Sequence, residues 1–322
     1  MEIISAYIQY LDEELKGLNF PATPSNLYDP IRYFLDLDAK RIRPVLTLLS
    51  AELFGIKKEN VLHAAIAVEL FHNFTLLHDD IMDSSLLRRG KKTVHNQWDT
   101  NIAILSGDVL FVHAYTHLSK QSDIHLPYLI KLFNDTAVKL CEGQQLDMDF
   151  ENKQIIDLDD YLDMIRMKTS VLLGCALQFG SIIANASLEK QKCIYDFGVN
   201  MGMAFQIQDD ILDLYGDSEV LGKKIGGDVL NDKKTILNVV AYKLADKKQK
   251  KELLSISNII DEKSKIERTR NLYNQLSVLD NCKKIAKKYS DKAICDLRNS
   301  VDIEFKNNTL YLLANQLLLR KN

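Results

Sequence analysis

Two short acidic motifs in this chain are near copies of each other: HDDIMD, with Asp79, Asp80 and Asp83, and QDDILD, with Asp209, Asp210 and Asp213. On a helix, Asp79 and Asp83 stand four residues apart and share a face, as do Asp209 and Asp213. Like charges at that spacing repel, so each pair calls for a positive partner. Oxygen-only carboxylate pairs suit Mg²⁺, which takes one or two carboxylates, keeps several waters and also binds substrate phosphates. A single motif of this kind is most often no more than an acidic helix end. Two are harder to read as solvated surface, because each sits among apolar residues (LFHNFTLLHDDIMD and GMAFQIQDDILDLYG) and precedes a loop rich in Lys, Arg and Gly.

The cations such a site needs are also present. KRIRP supplies Lys40, Arg41 and Arg43 ahead of a helix expected to begin at Pro44, RRG supplies Arg88 and Arg89, and Lys168-Thr169, Lys223 and Lys233 fall in or near helix ends. In a chain with 41 basic and 44 acidic side chains these clusters point to captured phosphate groups and not to a polyanion track, so no nucleic-acid partner is expected. His72 lies seven residues before Asp79, about 20° away on a helical wheel; a lone histidine there is more often a core residue than a ligand. Zinc is disfavoured, since His72 and His78 lack the i, i+4 spacing and no HExxH occurs. A calcium loop at DMDFENKQIIDLDD fails, because Asn152 stands where Gly is needed and Leu158 where Glu is needed.

Helices must position these residues. No proline follows Pro127 and no glycine follows Gly227, while Val61, Ala64, Ala65, Val68, Phe71, Leu76 and Leu77 recur at helical spacing. The chain reads as all-α, with helices near 2–18, 27–37, 44–54, 60–83, 98–120, 127–150, 157–185, 188–216, 233–246, 248–258, 262–300 (broken) and 308–320. No Ser/Gly-rich linker divides it, so residues 1–322 are expected to form one domain. The uncharged stretch 169–188 contains Gly174, Gln178, Asn185 and other residues unsuited to lipid, and no transmembrane segment is expected. Five cysteines without CxxC spacing and the lack of a secretory signal in the opening residues point to the cytoplasm.

Five stretches together resemble the trans-isoprenyl diphosphate synthases, or polyprenyl synthetases: KRIRP at 40–44, HNFTLLHDDIMDSSLLRRGKKTVH at 72–95, MIRMKT at 164–169, FGVNMGMAFQIQDDILD at 197–213 and LGKKIGGDVLNDKKT at 221–235. The resemblance spans roughly residues 35–240. It implies a bundle of long helices around a deep central cavity, usually a homodimer. It implies a Mg²⁺-dependent head-to-tail (1'-4) condensation of isopentenyl diphosphate with an allylic diphosphate. Lys40, Arg43, His72 and Arg89 would bind the diphosphate of isopentenyl diphosphate, and Arg88, Lys168, Thr169, Gln206, Lys223 and Lys233 the allylic diphosphate. Asp79, Asp83, Asp209 and Asp213 would bind three Mg²⁺ that bridge to that leaving group. Cations aimed at the departing diphosphate would stabilise its ionisation to an allyl cation. The alkene of isopentenyl diphosphate would then attack, the departing diphosphate can take the released proton, and water must be kept out.

In the family, bulky residues upstream of the first motif form a floor that stops chain growth. Phe74 stands five residues before Asp79, about 7.5 Å along the helix and about 140° off its face, so the wheel favours Thr75 as the lining residue. The resemblance favours Phe74 and a C15–C20 product, with C20 preferred; Phe74 as ordinary core is an even alternative. Two positions depart from the family pattern: Asp38-Ala39 replaces its usual Gly-Gly and sets a carboxylate beside Lys40, and Asp232 replaces its usual Gly before Lys233. The alternatives are a longer-chain polyprenyl synthase, a class I terpene cyclase, whose second motif is typically an Asn/Ser/Glu pattern, and a catalytically silent partner subunit.

Overall fold

The computed structural model describes residues 2–216, 225–301 and 308–318. The fold is almost entirely helical, as expected, and forms two compact units. The first comprises Met1–Phe133, Cys175–Ile194 and Ile303–Leu313, and the second Asn134–Gly174, Tyr195–Asp302 and Ala314–Asn322.

In the first unit, α1 (Ser5–Lys16), α2 (Ser25–Leu35), α3 (Ile42–Leu53), α4 (Leu62–Met82), α5 (Val94–Gln97) and α6 (Thr100–Leu118) follow in order. The central element is α4, which packs against both α3 and α6. Every residue from Ala64 to Phe71 is buried, as expected of a helix that is apolar all round. The stretch Lys58–Met82 is long and apolar enough to cross a membrane, but 67% of its most apolar window is buried inside the protein. One acid inside it, Glu69, is 1% exposed and accepts a 2.7 Å hydrogen bond from Arg41. Asp99 caps α6, its carboxylate accepting from the Ile102 N–H at 2.8 Å.

Between α4 and α5 the chain forms a hairpin that helical periodicity did not anticipate. Two-residue strands β1 (Leu87–Arg88) and β2 (Lys91–Lys92) pair antiparallel around Arg89 and Gly90, with φ of +52° and +75°. Positive φ at both central residues matches the twist of a two-residue hairpin, for which Asn-Gly is the usual signal. Arg89 takes the Asn place at a cost of about 1 kcal/mol.

The second unit holds most of α7 (Leu126–Glu151), α8 (Leu158–Ile165), the start of α9 (Val171–Ile183) and α10 (Leu188–Tyr215) from Tyr195 onward. It continues through α11 (Gly227–Leu230), α12 (Ile236–Leu244), α13 (Lys247–Ile256), α14 (Glu262–Gln275) and α15 (Val278–Asn299) to the end of α16 (Thr309–Leu318). Tyr161, Ile207, Ile236, Val240, Tyr273 and Cys282 lie in its core. Asp246 and Gln249 form a reciprocal capping box at the start of α13.

Two helices differ in kind from the sequence expectation, and a third breaks where a break was expected. Pro44 is the third residue of α3 and not its first; it is still within the turn whose N–H groups lack intrahelical partners. The helix expected over 157–185 contains one π turn, Arg166–Ser170, where the Val171 N–H reaches back to the Arg166 carbonyl. The break expected within 262–300 falls at Leu276 and Ser277, and Ser277 is left-handed at φ +54°.

Candidate active site

In the first unit, the last turn of α4 carries the first acidic motif. Asp79 is half-buried and Asp83 is exposed, closing the helix with its N–H on the Asp79 carbonyl at 2.8 Å. Asp80 turns inward and is 1% exposed. Arg88 of the hairpin grips it, with Nε at 2.8 and 3.0 Å from the two carboxylate oxygens and Nη2 at 2.6 Å. Burial pushes the Asp80 carboxyl above its usual range, against the downward pull of Arg88. The grip uses two guanidinium nitrogens and leaves Nη1 outside the pair.

His72, one helical repeat upstream, meets Arg43 of α3, Nη1 lying 3.0 Å from Nε2. A guanidinium only donates, which assigns Nε2 as acceptor and places the imidazole proton on Nδ1. Burial first, then the charges of Arg43, Arg89, Arg88 and Arg41, hold His72 well below the ordinary histidine pKa. Burial pushes Arg43 down to about 10, which leaves it charged at neutral pH, and Asp79 is among the groups that favour that charge. Arg89 donates to the Leu37 carbonyl at 3.3 Å. Arg43, Arg88 and Arg89 are thus all near enough to act on His72, and Arg43 also on Asp79, while Lys40 stands exposed ahead of α3.

Arg41 does the opposite of its neighbours in KRIRP. It is 5% exposed, and its three nitrogens donate to Asp12 at 3.0 Å, Glu69 at 2.7 Å and the Leu35 carbonyl at 2.6 Å. It braces the turn into α3.

Phe74 faces α6, stacking on Phe111 with centroids 4.9 Å apart and planes 13° from parallel. Phe71 and His78 flank it at 5.6 and 4.7 Å. Thr75 is buried, its hydroxyl donating to the His72 carbonyl at 2.8 Å.

In the second unit, α10 presents Asp209 and Asp213 half-buried, one turn apart. Again the middle aspartate turns inward. Asp210 is 4% exposed and accepts from the Tyr161 hydroxyl, from Gln206 Nε2 at 3.0 Å and from the Ile236 N–H at 3.0 Å. Burial raises its pKa to about 6. Gln206 thus braces Asp210. Asp213 receives the Asp228 N–H at 3.0 Å on its carboxylate.

Lys168 and Thr169 ride on the π turn, a deviation that frequently marks functional sites. Lys168 Nζ lies 2.5 Å from Asp147 of α7. Gly143, one turn before Asp147, lets the two segments touch: a Cβ there would come within 2.3 Å of the Lys168 backbone nitrogen. Neither Asp147 nor Gly143 was singled out from the sequence; an isolated glycine within a long helical pattern was the available signal. Lys233 is exposed, with Nζ 3.8 Å from Asp228. Lys223 lies outside the described residues.

Each outer aspartate pair offers oxygen donors only, which fits Mg²⁺. Among the described residues no three His, Cys, Asp or Glu side chains form an ion-binding group of their own. Two carboxylates per motif suit an ion that completes its shell with water and phosphate oxygens.

The sequence profile of the polyprenyl synthetases matches residues 24–276. This chain belongs to the polyprenyl synthetase family. It is accordingly an enzyme, a prenyltransferase. This synthetase is 42% identical over 262 residues to the short chain isoprenyl diphosphate synthase of Methanocaldococcus jannaschii, covering 80% of this chain and 79% of that one. It is 40% identical over 311 residues to the geranylgeranyl diphosphate synthase of Saccharolobus solfataricus, covering 93% and 92%. The crystal structure of geranylgeranyl pyrophosphate synthetase from Pyrococcus horikoshii superposes with a TM-score of 0.93 at 34% identity, covering 99% of the synthetase and 97% of that chain. The family match extends beyond the 35–240 span read from motifs, because the flanking helices carry packing residues without chemical signatures.

Proposed function

We propose that the protein condenses isopentenyl diphosphate with an allylic diphosphate, head to tail, releasing inorganic diphosphate and a short-chain trans-prenyl diphosphate of C15–C20, with C20 favoured. The observation that carries this reading is the repeated burial pattern of the two acidic motifs: the middle aspartate, Asp80 or Asp210, is buried within the fold, and the outer pair lies nearer the surface. Each motif thereby offers a pair of carboxylates suited to a metal ion that also binds a diphosphate. The geranylgeranyl and short-chain names of the relatives, and the aromatic stack at Phe74, support the product length.

Asp79, Asp83, Asp209 and Asp213 are the Mg²⁺ ligands in this reading. When bound, three Mg²⁺ supply positive charge against the diphosphate as the carbon–oxygen bond ionises. Arg88, Lys168, Thr169, Gln206, Lys223 and Lys233 hold the allylic diphosphate, and Lys40, Arg43, His72 and Arg89 hold that of isopentenyl diphosphate. Neutral His72 accepts from Arg43 and so aims the guanidinium without adding a competing charge. Phe74, backed by Phe111, ends the space for the growing chain.

The reading further takes residues 1–322 as one prenyltransferase domain, working in the cytoplasm as a homodimer without a membrane-spanning segment or nucleic-acid partner. Ile104, Leu105 and Val112 of α6 and Tyr128 of α7 are 40%, 57%, 62% and 64% exposed, an apolar set that a second copy would cover. The test is to incubate the protein with labelled isopentenyl diphosphate, Mg²⁺ and dimethylallyl, geranyl or farnesyl diphosphate in turn, and to size the products. Label in prenyl diphosphates no longer than C20, lost on chelation, is expected. Release of hydrocarbon or alcohol without incorporation of label would favour a cyclase and overturn the reading.

A further inference from the structure

Asp232 is a left-handed residue, φ +52°, immediately before Lys233. That conformation suits Gly and is otherwise reached most readily by Asn and Asp. The structure also gives this aspartate a partner from a distant helix. Lys265 of α14, 5% exposed, places Nζ 2.9 Å from the Asp232 carboxylate. The same ammonium reaches the Leu230 carbonyl at 3.4 Å and the Ser257 carbonyl at 3.5 Å. Its three hydrogens thus have three acceptors, on two loops that it ties together.

The tie matters because of what lies on either side. The Asp232 N–H donates to Val229 at 3.2 Å, the Lys233 N–H to the Asp228 carbonyl at 2.9 Å, and the Ile236 N–H to the Asp210 carboxylate at 3.0 Å. Lys233 therefore sits between two anchors: one is Asp210, at the heart of the second acidic motif, and the other is Lys265. Beside it is a cavity of about 420 Å³, lined by Asp232, Lys233, Lys265, Asn238, Tyr242 and Asn258 among others. That space would let the loop shift if the second anchor were lost.

We propose that Asp232 and Lys265 act as a coupled pair of positioning residues for Lys233. The pair fixes the turn from which Lys233 meets the allylic diphosphate, and it does so without touching the substrate. The inference rests on the reading of Lys233 as an allylic-diphosphate ligand, and its test separates the two.

Steady-state kinetics with farnesyl and isopentenyl diphosphate, alongside thermal unfolding, test it on Lys265→Met, Asp232→Gly, the double variant and Lys233→Ala. Lys265→Met and Asp232→Gly are each expected to raise KM for farnesyl diphosphate about fivefold or more, with kcat and KM for isopentenyl diphosphate within about twofold. The double variant should be no worse than Lys265→Met alone, and Lys265→Arg should recover most of the loss. Asp232→Asn keeps a residue at home in the left-handed region and removes the charge, so it reports on the pair even where Asp232→Gly folds poorly; it should also raise the farnesyl diphosphate KM. A lowered melting temperature with unchanged KM across these variants would overturn the proposal and leave the pair a brace of the fold. So would additive effects in the double variant. An unchanged KM in Lys233→Ala would instead overturn the reading of Lys233, and the proposal with it. A raised KM in Lys233→Ala with no effect at Lys265 or Asp232 would overturn the proposal alone.

Discussion

Arg88 holds Asp80 through two guanidinium nitrogens, at 2.8 and 2.6 Å from the same carboxylate oxygen, so of two successive aspartates in α4 one is locked into the fold and the other is presented. Removing each should therefore fail differently. Asp80→Ala leaves Arg88 unpaired and should lower stability by about 2–3 kcal/mol in urea denaturation, below the usual cost of a broken buried pair because Arg88 is partly solvated. Asp79→Ala should cost less stability than Asp80→Ala, because Asp79 is only half-buried, yet lower turnover at saturating Mg²⁺ by about a hundredfold or more. Equal losses of stability in the two variants would erase the distinction.

His72 gives a pH dependence with a definite sign. In the unfolded chain its imidazole takes up a proton below about pH 6.5. In the fold, burial and the arginines Arg43, Arg89, Arg88 and Arg41 keep it neutral. The unfolded state then binds the extra proton, so stability present above pH 6.5 is lost as pH falls, by up to about 1.4 kcal/mol per pH unit. His72→Gln should flatten the stability profile between pH 6.5 and 5.5 by about 1 kcal/mol relative to the parent. In the folded parent, the His72 ring signals in NMR should not titrate between pH 8 and 6; a midpoint near 6.5 would contradict the assignment.

Phe74 and Phe111 stack as one wall, so either should set product length. Phe74→Ala and Phe111→Ala are each expected to shift the product past C20 and to cost about 2–3 kcal/mol, the low end for a large aromatic because both rings are only partly buried. Chromatography of the dephosphorylated products reads the first effect. An unchanged profile in both would remove the stack from the floor.

Gly143→Ala places a methyl group 2.3 Å from the backbone of the π turn, which cannot swing aside as a side-chain end would. The helix gains the better helix-forming residue, worth about 1 kcal/mol. Even so, a net loss of about 1–2 kcal/mol is expected, because overpacking against fixed backbone falls at the upper end of its usual cost of about 1–3 kcal/mol. Displacement of Lys168 and Thr169 should also raise KM for the allylic substrate more than KM for isopentenyl diphosphate. A variant as stable as the parent, with unchanged kinetics, would show that the turn does not depend on this contact.

What the sequence by itself determined is whatever depends on spacing along one segment. Asp79 with Asp83 and Asp209 with Asp213 share faces because a helix repeats every 3.6 residues. The lack of Pro and Gly after residue 227 made long helices legible for the same reason. The tertiary structure decided which members of each motif are presented. Asp210 turns inward because Tyr161, 49 residues away in sequence, and Ile236 meet it there; Arg41 turns inward because Glu69 lies buried in α4. Arg43, two residues later, instead meets His72. Adjacent residues of one type carry the same local signal. Burial and a partner's charge separate them, and those arise only when distant segments pack together.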